Sequence, residues 1–207
     1  IGVKLLGCLP NNAELSLPSR HLGLAPANEV EELPSRIDAW SSLAESNLDL
    51  KEFRKLLKAP SPKTNPIKQL VEEYFEESKH SHQYPIAIAE DKAFHFRYPE
   101  TKELLESFGM PIIPWQPIEN EIIPKEAKGI IIPGGFPELY AEQLSHSSKS
   151  LNDLRQSFMR KPIYAECGGM LLLGTSLSNL EGEVFQMAGI LPFHAQKGFL
   201  KVGYREI

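Results

Sequence analysis

Four short apolar runs, PIAIA (85–89), MPIIPW (110–115), GIIIPGG (129–135) and PIYAECGG (162–169), punctuate the second part of the chain. Each is too short for a buried helix, and the stretches between them carry helical spacing, at 101–108 before Gly109, at 137–144 and at 151–159. A strand that is apolar throughout needs cover on both faces, which helices packed on a parallel sheet provide. Residues 85–207 therefore predict an α/β domain, a doubly wound parallel sheet with flanking helices.

The texture before residue 85 is different. Residues 1–10 read as a buried strand (Val3, Leu5, Leu6) that ends in a turn at Pro10, Asn11 and Asn12. Leu33, Ile37, Trp40 and Leu43 recur at helical spacing, as do Phe53, Leu56 and Leu57 behind Asp49, a candidate cap with Glu52 three residues on. The proline-dense APSPKTNP (59–66) favours an extended connection, and the charged stretch 67–82, with Leu70, Val71, Tyr74 and Phe75 on one stripe, reads as a bridging helix. Three parts are expected: 1–58, a connecting 59–84, and 85–207.

Composition narrows the function classes. With 207 residues, a net charge of −5, 42% hydrophobic and 24% charged residues, the chain has the usage of a folded globular protein. It has no run of about 18 apolar residues and no basic segment leading into a long apolar one, which predicts neither a membrane protein nor an exported one. Its basic residues are interspersed with acidic ones and form no stripe, so no nucleic-acid partner is expected. Cys8 and Cys167 sit in unrelated contexts, which points to a reducing, cytoplasmic setting. The strand-like runs at Ile1 and at LKVGYREI lead to the expectation that the chain continues at both ends in a longer protein.

Cys167 is the sharpest candidate for chemistry. The strand before it leads into Glu166-Cys167-Gly168-Gly169 and a helix-like MLLLG, the pattern of a nucleophile elbow. Such a turn lifts one side chain above the sheet, and glycines beside it let other backbone pass close beneath. The helix start favours a thiolate, and the Gly168 amide is placed to face a developing oxyanion. A buried cysteine acting as a small hydrophobe is the competing explanation, and the flanking sequence argues against it. Pro133-Gly134-Gly135-Phe136-Pro137-Glu138 puts two glycines at a strand's carboxyl end, where backbone amides face a ligand; a plain tight turn explains them equally well. A cysteine nucleophile needs a base. Of the six histidines, His80 and His82 lie in a polar linker, His95 and His146 near expected helix starts, and His194 in an expected loop; none is a convincing partner. No metal-ligand spacing is present, and no GxxxxGK[ST] or GxGxxG loop cradles phosphate.

Together, IAIAEDKAFHFRYPETKELLESFG, IIPGGFPELYAEQL and PIYAECGGMLLLG resemble the glutaminase domain of the cobyrinic acid a,c-diamide synthases, and LPSRHLGLAPANE resembles the end of their ATP-dependent synthetase domain. These enzymes belong to the cobyrinate/cobyric acid synthase family of class I glutamine amidotransferases. The related cobyric acid synthases and nickel-sirohydrochlorin a,c-diamide synthases share the elbow, and a hydrolase or redox protein of similar fold accounts for the elbow but not for the early segment. The resemblance implies a class I amidotransferase-like (flavodoxin-like) fold. It makes Cys167 the nucleophile toward glutamine, Gly135 and Gly168 the oxyanion-hole amides, and Gly134, Glu166 and Gly169 their support. It implies a corrinoid substrate, cobyrinic acid, in cobalamin biosynthesis, with ATP and Mg2+ used by the synthetase domain and none held by these residues. Arg20 and His21 would face the nucleotide or substrate, or form a buried structural pair. The family's catalytic histidine follows a GYRE-like segment, here Gly203 to Glu206, and is expected beyond residue 207. The implied partners are glutamine, the corrinoid and the rest of the synthetase domain; a homodimer is an assembly open to the protein.

Overall fold

A computed structural model describes residues 2–18, 25, 27–57 and 83–198. The expected connection at 59–66, the expected helix at 67–82, and Arg20, His21, His80, His82 and the 203–206 segment lie outside the described residues. The chain divides into two compact units, Ile1–Asn65 and Pro66–Ile207.

In the first unit, α1 (Leu33–Asn47) opens with Pro34 in its first turn, and α2 (Leu50–Leu56) is capped as its sequence suggests, with Asp49 Oδ1 accepting the Glu52 amide at 3.0 Å. The Glu52 carboxylate does not return the bond; it pairs instead with Lys4 and Lys55. Trp40 Nε1 donates to the Leu15 carbonyl and Arg36 Nη1 to those of Glu14 and Ser16, which ties the 12–16 turn to α1. The expected buried strand at 1–10 is not formed. Only Gly7 pairs with a neighbour, Leu48, and Val3 and Leu5 are each 80% exposed. A strand needs an adjacent strand to take its amides and carbonyls, and among the described residues only the short stretch Leu48–Asp49 meets it, the Asp49 amide donating to the Leu6 carbonyl at 2.7 Å.

The second unit is an α/β domain. β1 (Ile86–Ala89) pairs in parallel with β3 (Ile112–Trp115) and β4 (Gly129–Ile132), and β4 pairs in parallel with β6 (Ile163–Ala165), giving the order β3-β1-β4-β6. Counting parallel strands alone, this is the order 2-1-3-4 of flavodoxin-like sheets, whose direction of growth reverses between β1 and β4. α3 (Pro99–Ser107), α4 (Ala141–His146), α5 (Ser148–Phe158) and α6 (Gly168–Leu173) connect and flank the strands. The core gathers Ala87, Ala89, Ile130 and Ile132 of the central strands with Leu144, Leu151, Leu154 and Leu172 of the helices. Burial on both faces holds for β1 and β4. The outer strands are more open: Pro114 on β3 is exposed, at an edge where its missing amide costs no ladder bond, and Tyr164 on β6 is 60% exposed.

Two small sheets complete the unit. β2 (Phe94–Phe96) runs antiparallel to β5 (Gly134–Gly135), and β7 (Ser176–Ser178) lies between β8 (Val184–Gln186) and β9 (His194–Ala195). The histidines shift accordingly. His95 sits in a strand rather than at a helix start, His146 is the last residue of α4, and His194 is in β9 rather than a loop.

Candidate active site

The loops that leave the carboxyl ends of β1, β4 and β6 converge, and two of them leave the adjacent strands where the sheet order reverses. That is where open α/β sheets form their ligand crevice.

The loop after β6 makes the elbow. Cys167 stands between the strand and α6 at φ 47° and ψ −119°, a backbone region that side-chain-bearing residues rarely occupy and that costs on the order of 1–3 kcal/mol. The turn is closed by Glu166 N donating to the Ile132 carbonyl, Gly169 N to Glu166 and Met170 N to Cys167. Gly168 and Gly169 are buried while Cys167 is exposed as a free thiol, so the strain is spent on presenting the sulfur. The Gly168 amide opens α6, where no intrahelical acceptor is available to it.

The loop after β4 lies against it. A Cβ on Gly134 would sit 3.4 Å from the Cβ of Cys167 on one side and 3.4 Å from that of Phe96 on the other. A Cβ on Gly168 would fall 2.7 Å from the Gly135 oxygen and 3.0 Å from its nitrogen, so the Gly135 peptide rests directly on Gly168. Gly169 is as tightly held, its Cβ position being 2.1 Å from the Ile132 carbonyl oxygen. Gly135, Gly168 and Gly169 are thus required by close backbone approach, whereas a Cβ on Gly134 would make ordinary contact, and the structure brings Gly134, Gly135, Cys167, Gly168 and Gly169 together.

The Glu166 backbone belongs to the elbow, and its side chain turns to the strand before it. Its Oε2 accepts from the Tyr164 hydroxyl at 3.1 Å, and that hydrogen bond, reinforced by the carboxylate's charge, pushes the Tyr164 phenol above its ordinary range. His194 Nδ1 is taken up by Ser176 Oγ at 2.7 Å on the three-stranded sheet. His95 Nδ1 meets the Lys92 carbonyl at 3.1 Å, and its ring stacks edge-on against Phe96 at 4.6 Å. Phe96 in turn packs edge-on against the buried Phe136, at 5.1 Å, and so forms an aromatic wall behind the Gly134–Gly135 turn. Among the described residues, no group of three or more His, Cys, Asp or Glu side chains is arranged to hold a metal ion. A cavity of about 390 Å³ opens beside the β1–β2 turn, lined in part by Lys92, Asn120, Tyr140 and His146; it includes neither glycine turn nor Cys167.

The loop after β1 is where residue-by-residue reading fell short. Asp91 Oδ1 accepts the amides of Ala93 at 2.8 Å and Phe94 at 3.1 Å, and Oδ2 accepts that of Ile118 at 2.9 Å. Burial pushes its carboxyl above the usual range, against the lowering pull of those three donors and with a further push from Glu119. The spacing Asp91 to Ala93 signals a side-chain turn; the bond to Ile118 has no local signal.

A parallel sheet of this order with a strained cysteine elbow defines an α/β protein built to present a thiol at the sheet's carboxyl edge. Residues 85–202, more than half of the chain, match the CobB/CobQ-like glutamine amidotransferase domain, and the chain belongs to that family. Among curated proteins, it is 36% identical over 207 residues to the cobyrinate a,c-diamide synthase of Synechocystis sp., covering 99% of this chain and 42% of that protein. The cobyrinate a,c-diamide synthases of Caldanaerobacter subterraneus and Fusobacterium nucleatum are 32% and 36% identical, over 100% and 92% of this chain and 44% of each relative. The chain thus spans less than half the length of the curated relatives it matches. No described helix is long and apolar enough to cross a membrane.

Proposed function

We propose that this chain carries the ammonia-producing part of an ATP- and glutamine-dependent amidoligase that amidates the a and c carboxylates of cobyrinic acid in cobalamin biosynthesis, in the cytoplasm. Residues 85–207 are then the glutaminase domain, 1–58 the end of the synthetase domain and 59–84 their connection. The observation that carries the chemistry is the exposed Cys167 thiol at φ 47° against the Gly134–Gly135 turn.

In this reading the Cys167 thiolate attacks the side-chain amide carbon of glutamine, and a C–S bond forms as the carbonyl becomes a tetrahedral oxyanion. The amides of Gly135 and Gly168 donate to that oxyanion, the step where fixed donors matter most. The family's catalytic histidine hands a proton to the departing nitrogen. The C–N bond breaks, ammonia leaves, and water then cleaves the glutamyl thioester to glutamate and free thiol. Gly169 serves by having no side chain, Gly134 by carrying the turn past Cys167, and Glu166 by bracing the elbow through Tyr164. ATP and Mg2+ belong in this reading to the synthetase domain, where the nucleotide activates each corrinoid carboxylate as an acyl phosphate; the residues described here supply only the ammonia that displaces it.

The test is covalent labelling of the full-length protein with a glutamine-analogue alkylator. The label is expected on Cys167 and is expected to be blocked by excess glutamine; labelling that glutamine does not block overturns the reading. Replacement of the thiol, Cys167→Ala, is expected to abolish glutamine-dependent amidation and to leave ammonia-dependent amidation largely intact, since only the ammonia source is lost. Equal loss of both activities would count against the assignment.

A further inference from the structure

The strand that carries Gly135 takes no part in the four-stranded sheet that leads to Cys167. That strand, β5, belongs to the two-stranded sheet and is paired with β2, with Phe94 opposite Gly135 and Phe96 opposite Gly134. The contact is close: the Phe136 amide donates to the Ala93 carbonyl at 3.0 Å, and a Cβ on Gly135 would lie 2.0 Å from that same oxygen. The Ala93 carbonyl is therefore the stop against which the Gly135 peptide is set. Ala93 is held in turn by Asp91, whose Oδ1 takes the Ala93 and Phe94 amides, while Oδ2 takes the Ile118 amide in the turn Pro117–Glu119 that follows β3. The Asp91 amide closes the loop by donating to the Phe94 carbonyl at 3.3 Å. Ala93 and Phe94 are both fully buried.

We infer that Asp91 is a positioning residue for glutamine hydrolysis: its carboxylate locks the β1–β2 turn to the loop after β3, and through the Ala93 carbonyl fixes the Gly135 amide beside Cys167. This rests on the proposed role of Gly135 as an oxyanion donor and names what holds that donor in place. Removal of the carboxylate strands three amides, two of them on fully buried residues, and the turn must relax to rehydrate them. Any relaxation displaces the Ala93 carbonyl and the Gly135 peptide with it. A donor aimed at an oxyanion loses its effect on such a shift, and misplacement by about 1 Å is worth on the order of 100-fold in rate.

Two replacements separate positioning from mere folding. Asp91→Ala removes both acceptor oxygens and all three hydrogen bonds. Asp91→Asn keeps one oxygen for Ala93 and Phe94 but turns an NH2 toward the Ile118 amide. In the full-length protein, Asp91→Ala is expected to lower kcat for glutamine hydrolysis about 10- to 100-fold with KM little changed. Asp91→Asn is expected to fall between it and the wild type. The rate of Cys167 alkylation by iodoacetamide, a displacement that forms no oxyanion, is expected to stay at the wild-type value, as is ammonia-dependent amidation. If Asp91→Ala does not fold, Asp91→Asn carries the same comparison. Unchanged kcat in the folded variants, or a fall in kcat matched by an equal fall in alkylation, overturns the positioning role. A wild-type protein that hydrolyses no glutamine overturns the underlying reading of the site and the positioning role with it.

Discussion

Gly169 has no side chain to offer, yet its replacement is among the most damaging open to this domain. A Cβ there would meet the backbone oxygen of Ile132 at 2.1 Å and that of Pro133 at 2.7 Å, and neither can swing aside as a side chain tip would. Gly169→Ala is expected to cost about 1–3 kcal/mol by forcing the elbow off the end of β4. A lowered Tm together with slower alkylation of Cys167 would check it. Gly182 offers the contrast, with φ +89° and nothing within 4 Å, where alanine meets only backbone strain. The run Glu166-Cys167-Gly168-Gly169 announced an elbow in the sequence because the turn's geometry is dictated by adjacent residues. What each glycine makes room for was not legible, since Gly168 meets Gly135 and Gly169 meets Ile132, with two helices and a strand between them in the chain. Asp91 is the plainest case: its bond to Ile118 spans 27 residues, and no local pattern encodes it.

The parallel strands were readable as short, wholly apolar runs and the longer helices because each has enough residues to show its period, and α5 begins and ends within three residues of its expected place. β2, β5, β7, β8 and β9 have two or three residues each, too few to display alternation, and they exist because tertiary contacts hold them. One side chain ties the segment that follows β8 to the helices. From α5, Arg155 donates through Nε to the Ala188 carbonyl at 2.6 Å and through Nη2 to that of Met187 at 3.0 Å, both residues buried. Arg155→Met is expected to destabilise the domain by about 1–3 kcal/mol by leaving those carbonyls without donors. The check is a denaturation midpoint, with faster amide exchange confined to β7, β8 and β9 and the alkylation rate of Cys167 unchanged.

As a whole, the chain holds two units of unequal self-sufficiency. No described residue of the first is buried, and Val3, Leu5, Leu56 and Leu57 stand 65–80% exposed, whereas the second encloses a continuous core. Burial is what offsets the entropy of ordering a chain, so residues 1–57 in isolation are expected to unfold without a cooperative transition, and residues 83–207 with one. Thermal melts followed by circular dichroism would decide it. The change of texture near residue 85 was visible in the sequence because it reflects this difference in core formation; the exposure of Val3 and Leu5 was not, because a strand-like run reads the same whether or not a neighbour lies beside it.

The β4–β6 ladder pairs Ile132 with Ala165, so that two residues further along each strand Gly134 stands level with Cys167. A slip of one residue would carry the thiol about 3.3 Å past the glycine turn and turn the strand's side chains to the opposite faces. On the proposed function, glutamine turnover therefore proofreads the fold: a misaligned chain would still expose an alkylatable thiol, but only molecules whose sheet has assembled in register would turn over glutamine.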